Sequence, residues 1–122
     1  MTAPDQLTVK TTRTSLEIIA TIRAADGARV SDIIDAHNIA KSTAHKHLTT
    51  LKRAGYLTKS GEVYHIGFKF LNLGEYAREQ WDWFPPVKAA VEELAERTEE
   101  ECDFVVDDHG RVITIAESYH KW

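Results

Sequence analysis

The chain has 122 residues, of which 43% are hydrophobic and 28% are charged, and its formal net charge is -4. This composition is too apolar for a disordered chain, and the sequence has no run of about 18 uncharged apolar residues that would span a membrane. The first residues lack the apolar core of a secretory signal, and the single cysteine, Cys102, excludes an intramolecular disulfide, so we expect a cytoplasmic protein.

Charge is distributed unevenly along the chain. Residues 1–80 carry 11 Lys and Arg against 8 Asp and Glu, whereas residues 81–122 carry 4 against 11. Between Lys41 and Lys59 there are five cations and no acid. Local positive charge favours contact with phosphates more than the total charge does, although a solvated basic helix face gives the same pattern.

Two helices are predicted before residue 40. The first runs from about Thr12 to Ala25 and ends at Asp26-Gly27, where glycine permits a left-handed backbone. Leu16, Ile19, Ala20 and Ile22 recur at helical spacing, with Ile18 beside them, and the candidate caps are Thr12, Thr14 and Ser15. The second helix is short, from about Ser31 to His37, with Ile33 and Ile34 as apolar anchors. Asn38 then supplies the turn, and Ile39 points back into the core.

A third helix is predicted from Lys41 or Ser42 to Ala54, with Gly55 as its stop. Ala44, Leu48 and Leu51 form a stripe at helical spacing and define its buried side. The opposite side carries residues that can all donate a hydrogen bond, none of them acidic: Ser42, Lys46, Thr49 and Arg53, with His45 and Thr50 at the margins. His47 lies at the edge of the stripe, where we expect it to be partly packed.

A hairpin is predicted next, over 57–66, with a turn at Ser60-Gly61. A helical segment follows at about 68–80, and its widely distributed apolar residues indicate burial on more than one side. After the proline-bearing joint at 81–86, an amphipathic helix is predicted over 87–98. Its apolar face consists of Val87, Ala90, Val91, Leu94 and Ala95. Two strands, at 103–106 and 112–116, are expected around a turn at 107–110.

The predicted fold class is therefore mainly α with a small β-wing. It comprises a winged helix-turn-helix DNA-binding domain at 8–67, a linker helix and joint at 68–84, and a truncated α+β segment of one helix and a β-hairpin at 85–122. The major groove of DNA is about 12 Å wide and admits one helix. The third helix is predicted to enter it, while the hairpin adds phosphate contacts through Lys59 and Tyr64. Arg13 is a further candidate phosphate contact.

Three linked segments in order, KSTAHKHLTTL, then GYL, then YHIGFKFLNLG, resemble the DNA-binding half of IclR-family transcriptional regulators. The upstream TRTSLEIIATI is similar to the family's first helix, and the resemblance covers about residues 10–80. It implies a homodimer or dimer of dimers bound to palindromic double-stranded DNA, with Phe68–Gln80 helping to pair the subunits. It also implies that Ser42, Thr43, His45 and Lys46 contact DNA.

Residues 85–116 resemble only the opening of the family's effector domain. We therefore expect a truncated chain or a short regulator, with no cofactor and no specific small-molecule effector of its own. The absence of HExxH, CxxC and nucleophile-elbow motifs disfavours an enzyme, and His45 and His47 lie on different helix faces, a poor metal pair. The alternative function is a winged-helix protein-interaction module that does not bind DNA.

Overall fold

The computed structural model describes residues 7–118. The order of elements is α1 (Lys10–Ala24), α2 (Val30–His37), α3 (Lys41–Arg53), β1 (Leu57–Ser60), β2 (Val63–Ile66), α4 (Lys69–Glu79), α5 (Phe84–Thr98), β3 (Cys102–Asp108) and β4 (Arg111–Ser118). The chain divides into two compact units, here called unit 1 and unit 2, with the boundary between Asn72 and Leu73. None of the helices within 7–118 is long and apolar enough to cross a membrane.

Unit 1 is built from α1, α2, α3 and the β1–β2 hairpin around one hydrophobic core. The buried residues of that core are Ile18, Ile22, Ala28, Ile33, Ala44, Leu48, Leu51, Leu57 and Tyr64. Every element of the predicted helix-turn-helix contributes to this list, so burial of these apolar side chains holds the three helices together. The predicted fold class is confirmed.

The first helix differs from its prediction in start and in buried face. It begins at Lys10 after Val9, and no side chain caps it, so the predicted caps Thr12, Thr14 and Ser15 all lie inside the helix. Leu16 is 61% exposed, whereas Ile18 and Ile22 are buried. Apolar residues cover a wide part of the surface of α1, so their spacing alone did not predict which of them are buried against the rest of the core.

The turn between α2 and α3 was predicted correctly. Asn38 caps α2 in the left-handed region with φ 50 and ψ 49, a conformation that asparagine tolerates. Ile39 is half-buried against the core, as expected. At the other end of α2, the backbone N–H of Arg29 donates to the Asp32 carboxylate over 2.8 Å and satisfies a group that the helix leaves open.

The β1–β2 hairpin is tied to the loop after α1. Leu57 pairs with Ile66 and Ser60 with Val63, so the turn lies at Gly61 and Glu62, one residue later than predicted. Gly61 has φ +59, which a two-residue hairpin loop requires. Ala28 and Tyr64 exchange two backbone hydrogen bonds of 3.0 and 2.8 Å, which fix the hairpin beside the helices.

Helix α4 departs from its prediction of burial on more than one side, because none of its residues is buried in the described chain. Leu71 is 61% exposed and Tyr76 68% exposed, and Phe68, just before the helix, is 88% exposed. An isolated helix of 11 residues gains little stability in water without packing. Phe70 packs edge-on against the Tyr56 ring, whereas Leu71 and Tyr76 form an exposed apolar surface among residues 7–118.

Unit 2 packs α5 against an antiparallel pair, β3 and β4, through Phe84, Val91 and Ala116. Helix α5 starts at Phe84 with Pro85 and Pro86 in its first turn, which confirms the predicted role of the prolines. Of the predicted apolar face, Ala95 and Val91 are buried, but Ala90 and Leu94 are exposed. The hairpin turn is shorter than predicted, because His109 and Gly110 alone occupy it, both at positive φ.

Candidate nucleic-acid interface

Helix α3 is held in unit 1 by a stripe of three residues, Ala44, Leu48 and Leu51, with exposures of 0%, 0% and 9%. These were the residues predicted to face inward, and their spacing of four and three places them on one side of an α-helix. Because this side is fully engaged in the core, the opposite side must face solvent.

The outward side of α3 brings together the candidate residues of that helix. All of them are exposed: Ser42, Thr43, His45, Lys46, Thr49, Thr50 and Arg53. The helix contains no acid, and its last turn adds Lys52 to Arg53. A helix face of hydroxyls, imidazole, ammonium and guanidinium groups can donate hydrogen bonds to phosphates and to base-edge acceptors.

Thr50 is the weakest donor of this set. Its hydroxyl already donates to the Lys46 carbonyl over 2.7 Å, so it can offer only an acceptor to a ligand. The Lys46 side chain is exposed beside it, and His45, Lys46, Thr49 and Thr50 together line a shallow depression.

Two histidines form hydrogen bonds between the helices behind this face. The Nδ1 atom of His47 lies 2.6 Å from the Ser15 hydroxyl, which joins α3 to α1, and His37 Nε2 lies 2.8 Å from the Thr21 hydroxyl, which joins α2 to α1. Both bonds are partly buried, which confirms the prediction that His47 is partly packed. The two contacts fix the orientation of α2 and α3 relative to α1.

The hairpin places its two candidate residues differently. Lys59 is exposed, and its ammonium lies 5.3 Å from the centre of the Tyr64 ring. Tyr64 is only 5% exposed and belongs to the core, so the expectation that it contacts phosphate is corrected. Lys59 and Tyr64 are paired across β1 and β2, so their side chains project from the same face of the hairpin. The helical core covers this face at Tyr64 but leaves Lys59 exposed. The exposed Glu62 at the tip opposes phosphate contact there.

Arg13 lies in the first turn of α1, and its guanidinium is 4.0 Å from the Glu17 carboxylate one turn later. This exposed ion pair is weak, but it offsets part of the charge that Arg13 would present to a phosphate.

A groove between α1 and α3 contains residues that the sequence did not identify as a site. Thr11, Thr12 and Ser15 of α1 face Thr43, Lys46, His47 and Thr50 of α3 across a cavity of about 380 Å³. The sequence did contain a signal, the hydroxyl-rich run from Thr11 to Ser15, but Thr12, Thr14 and Ser15 were predicted only as helix caps. Only the packing of α1 against α3 places them beside the predicted DNA-contacting helix.

Unit 2 shows two features of possible ligand chemistry within the described residues. A cavity of about 660 Å³ is lined by Trp81, Trp83 and Ile113 among others, and the exposed carboxylates of Glu101, Asp103 and Glu117 lie within 4.8 Å of one another. Exposed acidic groups are common without an ion, so no metal site is assigned.

Unit 1 has a helix held by an apolar stripe, a preceding helix that packs against it, and a hairpin joined by backbone hydrogen bonds to the loop between α1 and α2. These features define a winged helix-turn-helix domain. Residues 14–61 match the family described as the IclR helix-turn-helix domain, which confirms the resemblance seen in the sequence. Residues 14–61 of unit 1 are therefore similar to the helix-turn-helix domain of IclR-family transcriptional regulators.

The chain is also similar to longer proteins. It is 27% identical over 105 residues to a probable HTH-type transcriptional regulator, ArcR, of Halobacterium salinarum, covering 85% of this chain and 40% of that protein. An IclR family transcriptional regulator from Brucella abortus superposes with a TM-score of 0.81 at 16% identity, covering 99% of this chain and 47% of that one. The IclR protein of Thermotoga maritima gives 0.76 at 19% identity, over 93% and 47%. The chain thus spans less than half the length of each of these relatives, and the two structures support the fold.

Proposed function

We propose that this chain is a sequence-specific DNA-binding transcriptional regulator in which α3 enters the major groove. The observation that carries the proposal is the exposed, acid-free face of α3, which is held outward by a fully buried stripe on the opposite side. In this arrangement Ser42, Lys46 and Thr49 meet base edges or phosphates, and Lys59 on the hairpin meets the backbone. The family match of residues 14–61 supports the same function.

We further propose that residues 8–67 act as the DNA-binding domain, 68–84 as the linker and 85–122 as the opening of an effector-type domain. By itself this last segment is proposed to hold no specific effector, and a saturable metabolite signal in calorimetry would contradict that.

The proposed regulator acts as a homodimer on a palindromic operator. The support is the exposed apolar surface formed by Phe68, just before α4, and by Leu71 and Tyr76 on α4, which a second copy would cover. A two-fold axis between two copies places two α3 helices on half-sites about one helical turn of DNA apart, so the operator must share that symmetry. In a larger assembly, two such dimers would bind together.

The function is tested by selecting duplexes from fragmented genomic DNA or a random library with the full chain. Recovery of a palindromic sequence whose binding weakens steeply as salt rises supports the proposal, because phosphate contacts release counterions. Lys46→Ala should weaken binding of the selected duplex, whereas Lys88→Ala, which removes another exposed lysine in unit 2, should not. Failure to enrich any sequence would overturn the proposal.

A protein-interaction module is the second candidate, and the exposed apolar surface on and before α4 is the observation that favours it. Binding of a protein partner through aromatic and aliphatic burial would depend little on salt. A steep salt dependence and enrichment of one sequence therefore separate DNA recognition from this alternative.

A further inference from the structure

We propose that the groove between α1 and α3 is a binding site for a phosphate of the DNA backbone, next to the base-contacting face of α3. This inference rests on the proposed DNA-binding function and extends it to Thr11, Thr12 and Ser15 of α1, which the sequence analysis did not assign to DNA contact. The groove has a volume of about 380 Å³ and is lined by seven residues: Thr11, Thr12, Ser15, Thr43, Lys46, His47 and Thr50.

The chemistry of the lining fits an anionic oxygen ligand. Every one of the seven side chains carries a hydroxyl, an imidazole or an ammonium group, and none carries a carboxylate. Lys46 supplies the full positive charge. Among the described residues, the hydroxyls of Thr11, Thr12 and Thr43 are not engaged in a hydrogen bond with another protein group, so they can donate to a phosphate oxygen.

The Ser15–His47 pair adds a donor in either neutral form of the imidazole. If the serine hydroxyl donates to Nδ1 across their 2.6 Å separation, the ring proton lies on Nε2 and remains available. If Nδ1 carries the proton and donates to the hydroxyl oxygen, the serine hydroxyl proton becomes available instead. The pair therefore always retains one N–H or O–H donor beside the groove while joining α1 to α3.

The position of the groove identifies DNA as the source of the phosphate. Lys46 and Thr50 line both the groove and the shallow depression on the outward face of α3, so the two surfaces are continuous. A helix in the major groove is flanked by the sugar-phosphate backbones, and phosphate contacts on its flank fix its depth and register. Donors on α1 would thus set how α3 is positioned, without selecting a base.

The test uses the full chain, a duplex selected as above and an unrelated duplex of equal length. The key variant is Thr11→Val with Thr12→Val, because both residues are exposed and valine keeps the branched shape of threonine while removing the hydroxyl. Thr14→Val is the matched control: it lies in the same helix turn, but its hydroxyl already donates to the Lys10 carbonyl over 3.0 Å. Circular dichroism and thermal unfolding verify that each variant is folded.

We expect the double variant to bind both duplexes roughly tenfold more weakly, since a hydrogen bond to a charged group contributes more than a neutral one. Thr14→Val should bind as the unaltered chain does. The salt dependence of the double variant should stay unchanged because no cation is lost, whereas Lys46→Gln should lower the slope of log K against log salt by about 1.

A second arm identifies the phosphate directly. Single phosphates of the selected duplex are replaced one at a time by neutral methylphosphonate. At one flanking position the replacement should weaken binding of the unaltered chain and have little further effect on the double variant, because the same contact is already lost. The groove does not hold a phosphate if the folded double variant binds both duplexes as tightly as Thr14→Val does. The same conclusion follows if no methylphosphonate position affects the unaltered chain more than the double variant. If the unaltered chain enriches no DNA at all, the proposed function fails together with it.

Discussion

Replacing Leu48 by alanine tests the packing that presents α3 to DNA. Leu48 is fully buried and is one of the four largest such side chains in the described chain. The substitution removes three carbon atoms, worth about 0.8 kcal/mol each in transfer free energy, and leaves a cavity that adds to the cost. We therefore expect the free energy of unfolding to fall by about 3–4 kcal/mol, and Tm to fall by more than about 10 °C for a domain of this size.

The assay is urea and thermal unfolding followed by far-ultraviolet circular dichroism, with Thr49→Ala as the control. Thr49 is the next residue along α3, but it is exposed, so its loss should change the free energy of unfolding by less than about 0.5 kcal/mol. DNA affinity should show the reverse order at a temperature where both variants are folded: Thr49→Ala binds more weakly and Leu48→Ala is nearly unaffected. Equal destabilisation by the two substitutions would refute the assignment of the buried and outward faces of α3.

Three further outcomes are expected. Lys46→Ala should weaken binding of a selected duplex by about 1–3 kcal/mol if Lys46 contacts a base, whereas Lys59→Ala should weaken binding of all duplexes about equally. Fluorescence anisotropy measures both affinities. Unchanged affinity in both variants at moderate salt would contradict the docking proposed for α3. Gly27→Ala should lower Tm, because Gly27 has φ +115 and a Cβ there would lie 2.8 Å from the His65 ring and 2.9 Å from Val63. An unchanged Tm would mean that the hairpin can shift away from the loop after α1 without loss of stability. Leu71→Glu should convert a dimer to monomers in analytical ultracentrifugation, because it places a charge in the exposed apolar surface of α4; a dimer of unchanged strength would locate the interface elsewhere.

Several features of the site were predictable from residue spacing alone. Ala44, Leu48 and Leu51 recur at helical intervals, and a single helix can bury only one such stripe, so the outward position of Lys46 and Thr49 followed without knowledge of neighbouring elements. Asn38 and Gly55 marked the ends of α2 and α3 because their backbones can adopt positive φ, which both do.

Other features depended on which neighbour packs where. Leu16 and Leu94 sit on helical apolar stripes and are nevertheless 61% and 51% exposed, because each broad stripe extends beyond the width that its partner covers. Tyr64 was expected at the DNA surface, but the backbone bridge to Ala28 places its strand against the helices and buries the ring.

The sequence by itself determined the element order, the inward stripe of α3 and its acid-free outward face, since these follow from local periodicity and residue type. The tertiary structure alone decided that α1 lies beside α3 and brings Thr11 and Thr12 next to Lys46 across a shared groove. The physical reason is that periodicity specifies which side of a helix is apolar, whereas the crossing of two helices depends on side chains distant in sequence that meet only when the core closes.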